Sequence, residues 1–214
     1  MTDQFPAEEF DNWAKNYDQS VANTEQYPFT GYNQLLDKIV ELANPNPGMR
    51  VLDLGTGTGN LALRFDALGC KIWGTDFSAV MLKKARIKLP EASLFQADLR
   101  GSLPPELDRR FDHIISAYVF HHFPLPQKVQ IIHKLFFDNL EPGGELILGD
   151  IAFENQAAQE AVKLAVGDDW EDEFYWLADE TISTFKGAGL STKFHWVSSC
   201  AGIFEIYGQL NKSY

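Results

Sequence analysis

The chain predicts an α/β fold: a mostly parallel sheet with helices on both faces, closed by an antiparallel strand. Three observations predict it. Short apolar runs alternate with helical patterns between residues 50 and 150. The turn "GTGTGN" joins the first of these runs to its helix. The final "STKFHWVSSCAGIFEIYGQL" reads as two β-rich runs with a short turn between them, and a hairpin at the end of a parallel sheet makes the sheet mixed.

In chain order, "AEEFDNWAKNYDQSV" sets Phe10, Trp13, Ala14 and Tyr17 at helical spacing. A second helix in "FTGYNQLLDKIVELA" shows an apolar face of Leu35, Leu36, Ile39, Val40, Leu42 and Ala43, and "NPNPG" stops it. The alternation then runs "RVLDL" (strand), "NLALRFDAL" (helix), "KIWGTD" (strand) and "SAVMLKKARIKL" (helix). It continues with strands "ASLFQAD" and "FDHIISAY", helix "PQKVQIIHKLFFDNL" closed by "EPGG", and strand "ELILGD". Residues 152–189 read as helices around an acidic, aromatic insert, "GDDWEDEFYW".

The 214 residues suit one domain with a real core, and no linker divides them. A net charge of −12 repels polyanions, so nucleic acid is a poor partner. The two cysteines, Cys70 and Cys200, fit a reduced cytoplasmic setting. The polar start "MTDQFPAEEF" is unlike a secretory signal, and no apolar run is long enough for a membrane span.

The glycines carry the first functional signal. Gly55, Gly57 and Gly59 stand between strand and helix, where backbone must approach a ligand at the carboxyl edge of the sheet. Helix N-terminal amides there suit a phosphate or carboxylate. Position six of the dinucleotide pattern G-x-G-x-x-G is Asn60, so that fit is incomplete. Asp76 ends the second strand, roughly 20 residues on, where a carboxylate accepts from ribose hydroxyls. Asp53 would repel a pyrophosphate but suit an ammonium or sulfonium ligand. S-Adenosylmethionine carries both cations and no phosphate. Asp98, ending "FQAD", is placed to accept from an adenine amino group. Singly, Asp53 also reads as a satisfied turn carboxylate and Asp98 as a cap.

Together, "VLDLGTGTGN", "GTDFSAVML", "FQADL", "FDHIISAYVFHHF" and "LEPGGELILGD" resemble the successive motifs of class I S-adenosylmethionine-dependent methyltransferases, and "FDNWAKNYD" resembles the W-A-x-x-Y-D cap helix of small-molecule members. The resemblance implies a Rossmann-like three-layer sandwich, with a mostly parallel seven-stranded sheet, an antiparallel last strand and N-terminal cap helices. It implies cap helices over 1–47, a cofactor core over 48–150 and acceptor-side elements over 151–214. The cofactor would be S-adenosylmethionine, leaving as S-adenosylhomocysteine. Gly55 and Gly57 would line its methionine portion, with Gly59 in the same turn, Asp53 near the amino group, directly or through water, and Asp76 on the ribose. Phe77 and Met81 would pack on adenine, and Asp98 would contact its amino group beside Ala97 and Leu99. Ala117 would approach the methionine end, and Tyr17 would be a lid contact. Core packing is the alternative for Phe77, Met81 and Tyr17.

The acceptor is expected to be a small molecule and the protein a monomer or homodimer. After the fourth strand the chain reads "SAYVFHHF", without the N-P-P-Y or D-P-P-Y tetrapeptide of many enzymes that methylate bases. His121 and His122, in that slot, are the candidate bases for an acceptor that must lose a proton; structural packing is their other reading. No clustered His/Cys set has metal spacing, so no metal is expected. The insert reads as a solvated acidic loop anchored by its aromatics, or as a lid. A non-catalytic S-adenosylmethionine binder and a nicotinamide-dependent oxidoreductase are the other classes, the latter opposed by Asp53, Asn60 and the hairpin.

Overall fold

The computed structural model describes residues 17–21 and 26–208. Phe10, Trp13 and Ala14 of the expected first helix lie outside them. The described part of that stretch is α1 (Tyr17–Ser20), which precedes α2 (Tyr32–Ala43). The alternating core is β1 (Arg50–Leu54), α3 (Asn60–Asp66), β2 (Lys71–Asp76), α4 (Ala79–Lys88), β3 (Ser93–Gln96), β4 (Phe111–Ala117), α5 (Leu125–Asn139) and β5 (Leu140–Phe153). Then come α6 (Gln156–Val166), β6 (Trp176–Leu177), α7 (Ala178–Gly187), β7 (Leu190–Ser198) and β8 (Ala201–Gly208).

The main sheet runs β3-β2-β1-β4-β5-β8-β7, with the short β6 beside β5. Pairings from β3 through β5 are parallel, and β8 is antiparallel to both β5 and β7. The last strand is thus inserted between β5 and β7, as a hairpin that turns back into the sheet must be.

Strand alternation builds two cores. Val51, Ile115, Ile147 and Ile203 face α2 and α3, whose Leu35, Leu36, Ile39, Leu61 and Phe65 are buried with them. Leu52, Ile114, Leu148 and Phe204 face the other way, against Ile132 and Leu135 of α5 and Phe185 of α7. That is the three-layer sandwich.

β3 is shorter than expected, Ser93–Gln96. β5 differs from the sequence reading at both ends: it begins at Leu140, not after "EPGG", and continues past Asp150 to Phe153. Its pairing to β4 passes from Phe111↔Leu140 to His113↔Glu145, so the intervening residues bulge. Pro142 offers no N–H and Gly143 takes φ 86°, so the ladder cannot run straight through them.

Parallel register gathers the strand ends. Leu54 pairs with Thr75, Asp76 with Gln96, and Ala117 with Gly149. Asp53, the glycine turn, Asp76, Ala97, Ala117 and Asp150 therefore line one edge. Cys70 and Cys200 are both free and buried. Among the described residues, no helix is long and apolar enough to cross a membrane.

Candidate functional site

The turn after β1 takes left-handed backbone at Gly55, Gly57 and Gly59, with φ of 64°, 55° and 87°, a region costly for other residues. Asp53 is buried beneath it. Its Oδ2 accepts from the Thr56 hydroxyl at 2.7 Å, and the carboxylate accepts from the Ala62 backbone. Burial pushes the Asp53 carboxyl up to about 7, Asp76 adding to the push and the Thr56 bond opposing it. Asp76 accepts from the backbone N–H of Gly57 at 2.8 Å and of Ser78 at 2.9 Å. The acid ending β2 thus ties the glycine turn to the start of α4. A Cβ built at Gly57 would meet nothing within 4 Å, so the turn borders open space there.

The other predicted contacts lie along the same edge. Phe77 is half-buried and its carbonyl accepts from Gln96 Nε2 at 2.9 Å. Met81 is buried in the first turn of α4, which Ser78 caps. The Ala97 N–H donates to the Asp76 carbonyl at 2.9 Å, and half-buried Leu99 packs on the apolar core. Asp98 is exposed, and Arg100 donates to it from its backbone and its guanidinium, the latter as close as 2.7 Å. Its carboxylate therefore acts as the turn cap that was its other reading.

Helix α1 lies against the glycine turn. The Tyr17 hydroxyl bonds to Tyr32, and its pKa is raised by burial first and by Tyr32 next. Asp18 accepts from Thr58 at 2.6 Å, Asn60 at 3.3 Å and Lys88 at 3.1 Å. Lys88 also donates to Asn60 Oδ1 at 2.6 Å. These bonds outweigh burial and hold the Asp18 carboxyl below its ordinary value.

Past β4, Ala117 is half-buried and Tyr118 takes φ 57°, a strained conformation for a bulky residue. Tyr118 is 9% exposed, stacks on Tyr32, and its hydroxyl has no hydrogen-bond partner among the described residues. His121 is buried. Its backbone N–H donates to Asp150 Oδ2 at 2.9 Å, and its Nδ1 lies 2.5 Å from Asp150 Oδ1. The Trp176 indole donates to the same carboxylate at 3.0 Å. Burial opposes a charged His121, but Asp150 outweighs it and raises the imidazole pKa; burial likewise opposes the Asp150 anion, which His121 rescues. His122 is lowered by burial, then by His121. Glu173 Oε1 lies 3.8 Å from His121 Nε2 and 3.5 Å from His122 Nδ1.

In the insert, the acids and the aromatics are placed differently. Asp168, Asp169, Glu171 and Asp172 are exposed. Trp170 stacks on Tyr27, and the Tyr27 and Tyr175 hydroxyls are 2.6 Å apart. Glu173 turns inward. The buried Lys128 ammonium holds the segment by donating to the Phe174 carbonyl and sits 4.0 Å from the Trp176 ring centroid; burial lowers its pKa to about 7.

Sequence reasoning missed Asp18, Thr58, Lys88, Tyr118, Asp150 and Glu173 as parts of this edge. Asp150 carried a usable signal, because it ends the apolar run "ELILGD" as Asp76 ends "KIWGTD", although β5 itself continues to Phe153. Glu173 carried none beyond its place in an acidic run.

A glycine turn with acids at successive strand ends defines an α/β protein that binds a nucleoside-containing ligand. The profile of a family described as "Methyltransferase domain" matches residues 51–144. An uncharacterized methyltransferase of Geobacillus thermodenitrificans is 35% identical over 213 residues, 94% of this chain and 95% of that protein. The chain belongs to the methyltransferases. Two solved structures share the fold. Magnesium protoporphyrin IX methyltransferase (ChlM) from Synechocystis PCC 6803 with bound SAH has TM-score 0.74 at 18% identity, covering 95% of this chain and 98% of its own. A DhpI–SAM–HEP complex has TM-score 0.71 at 19% identity, covering 94% of each chain.

Proposed function

We propose that the enzyme uses S-adenosylmethionine to methylate a small-molecule acceptor, with that cofactor on the β1–β3 side of the edge and the acceptor between α1 and the 170–175 segment. The observation that carries this reading is the aromatic cluster beyond β4: Tyr118 stacks on Tyr32, Tyr27 stacks on Trp170 and bonds to Tyr175, and Asp18 ties α1 to the glycine turn. Aromatic surface of this kind suits a compact acceptor. The net charge of −12 disfavours nucleic acid. ChlM, by its name, acts on magnesium protoporphyrin IX, a small molecule.

The residues fit the cofactor's chemistry. Open space beside Gly57 admits it, buried Asp53 suits its ammonium, and Asp76 suits its ribose hydroxyls. Phe77 and Met81 offer apolar surface to adenine, with Ala97, Asp98 and Leu99 beside it. Gly55, Gly59 and Ala117 border the methionine end, and Tyr17 covers it. Bound S-adenosylmethionine supplies the methyl group and a sulfonium leaving group, so the chain need supply no nucleophile. Its residues orient the reactants, an effect worth roughly 7–11 kcal/mol. In the metal-free chain, the acceptor's proton goes to the histidine pair. His121 is the better placed, because Asp150 fixes its Nδ1 and leaves Nε2 facing Glu173; His122 sits beside it.

Three measurements test this. Calorimetry should show one site for S-adenosylmethionine or S-adenosylhomocysteine and no comparable NAD site; the reverse sinks the reading. A cell extract treated with enzyme and methyl-labelled cofactor should carry label in its low-mass fraction. Label confined to protein or nucleic acid removes the small-molecule acceptor. Once an acceptor is known, single-turnover transfer should fall about 10²-fold in His121→Ala or His122→Ala with cofactor affinity intact.

A further inference from the structure

We propose that His121, His122 and Glu173 form a binding site for one divalent transition-metal ion, of the zinc or cobalt type. The inference rests on the reading of this group as the acceptor side of the site. One ligand atom from each residue lies within 4.8 Å of the other two. Two of the separations, His121 Nε2 to Glu173 at 3.8 Å and His122 Nδ1 to Glu173 at 3.5 Å, are close to those of a closed site. Ligands at about 2.0–2.2 Å from a tetrahedral ion stand about 3.3–3.6 Å apart. The remaining separation, between the two imidazole nitrogens, is no more than 4.8 Å, so closing the site asks the His122 ring and Glu173 to shift together by about 1–1.5 Å at most.

The surroundings match a metal centre in two further ways. Asp150 holds Nδ1 of His121 at 2.5 Å, which fixes the ring and directs Nε2 to the shared space. A carboxylate behind a ligating imidazole is the usual outer partner of such ligands. Glu173 and Asp150 supply two negative charges to a dication, with Lys128 the neighbouring cation. Two imidazoles and one carboxylate favour zinc-like ions over magnesium or calcium, which prefer oxygen. Three protein ligands leave one tetrahedral position open. An acceptor thiol or hydroxyl would bind there as its anion, releasing its proton to water. The heteroatom would then form the bond to carbon as the carbon–sulfur bond of the cofactor breaks, the electron pair staying on sulfur. In the ion-loaded enzyme the histidines are ligands, and the ion replaces His121 as the means of removing that proton.

The test uses the full, untagged chain, stripped with a chelator and titrated with cobalt(II). One equivalent should bind, with the intense visible absorption of a tetrahedral site; zinc(II) should displace it and magnesium should not compete. Glu173→Gln and His122→Ala should each weaken cobalt binding at least tenfold, and Asp150→Asn about 10–100-fold. His195→Ala should leave binding unchanged, although His195 Nε2 lies 2.7 Å from Glu205 and forms the obvious competing surface pair. Circular dichroism of each variant shows that it is folded. Should Glu173→Gln fail to fold, His122→Ala and the wild-type stoichiometry decide. No stoichiometric cobalt binding, or binding lost in His195→Ala and kept in His122→Ala, overturns the proposal. S-Adenosylmethionine calorimetry on the stripped chain keeps the questions apart. Cofactor binding without cobalt binding removes only the metal site, and cobalt binding without cofactor binding removes only the functional reading.

Discussion

Replacing Asp53 by asparagine keeps the side-chain shape and an acceptor for Thr56 while removing a charge that the fold buries. Burial raises this carboxyl from 3.8 to about 7. A carboxyl whose folded pKa exceeds its unfolded one is accommodated as the neutral acid. Its full contribution to stability is present below the unfolded value and is lost as pH rises through the folded value. The gap from 3.8 to about 7, at about 1.4 kcal/mol per pH unit, amounts to about 4 kcal/mol. Between about pH 5 and pH 8 the wild type should therefore lose roughly 3 kcal/mol relative to Asp53→Asn. Urea unfolding of both proteins across that range reads the difference directly. The cofactor's ammonium, placed beside Asp53, should hold the carboxyl ionised. Binding should then release a proton, and affinity should fall by up to about tenfold per pH unit below 7. Calorimetry in buffers of different ionisation enthalpy measures the proton. Parallel pH profiles for wild type and variant, with no proton release in either, would refute the reasoning and place the ammonium elsewhere.

Asp76→Ala removes the acceptor for the Gly57 and Ser78 amides as well as a charged partner for ribose. Cofactor affinity should drop by roughly 1.5–3 kcal/mol in calorimetry while the chain remains folded. Gly55→Ala should destabilise more than Gly57→Ala in thermal melts. Both impose about 1–2 kcal/mol of left-handed strain, but only at Gly55 does the new Cβ fall 2.3 Å from Val119 Cγ2. Gly57→Ala should instead show its larger effect on cofactor affinity, because the methyl enters the open side of the turn. Lys88→Met removes the ammonium that joins Asp18 to Asn60. The pair is partly exposed, so the loss is on the order of 0.5–1 kcal/mol. Stopped-flow should find cofactor dissociation two- to fivefold faster, with the melting temperature nearly unchanged. Equal dissociation rates would mean that α1 does not cover the cofactor.

Much of this protein is legible in one dimension because its signals are local. The alternation of strand and helix is a change of hydrophobic period within a few residues. "VLDLGTGTGN" contains its own turn, since a strand meeting a helix over three glycines has few other conformations. Parallel register then makes acids at strand ends converge, which is why Asp53 and Asp76 meet at the glycine turn although 22 residues separate them. Other features depend on distances that chain order does not encode. Asp98 was readable as an edge acid, but only the folded turn shows Arg100 occupying it. The two histidines were visible as a pair. Their functional asymmetry arises from Asp150, 29 residues from His121, and from Glu173, which the insert turns inward while its other acids face water. The strain at Tyr118 and the placement of β8 between β5 and β7 are likewise decided by packing. Local pattern determines which residues reach the sheet edge, because backbone geometry repeats over a few residues. Burial and long-range pairing decide which of them share a proton, a charge or a ligand, because those energies depend on distance in space.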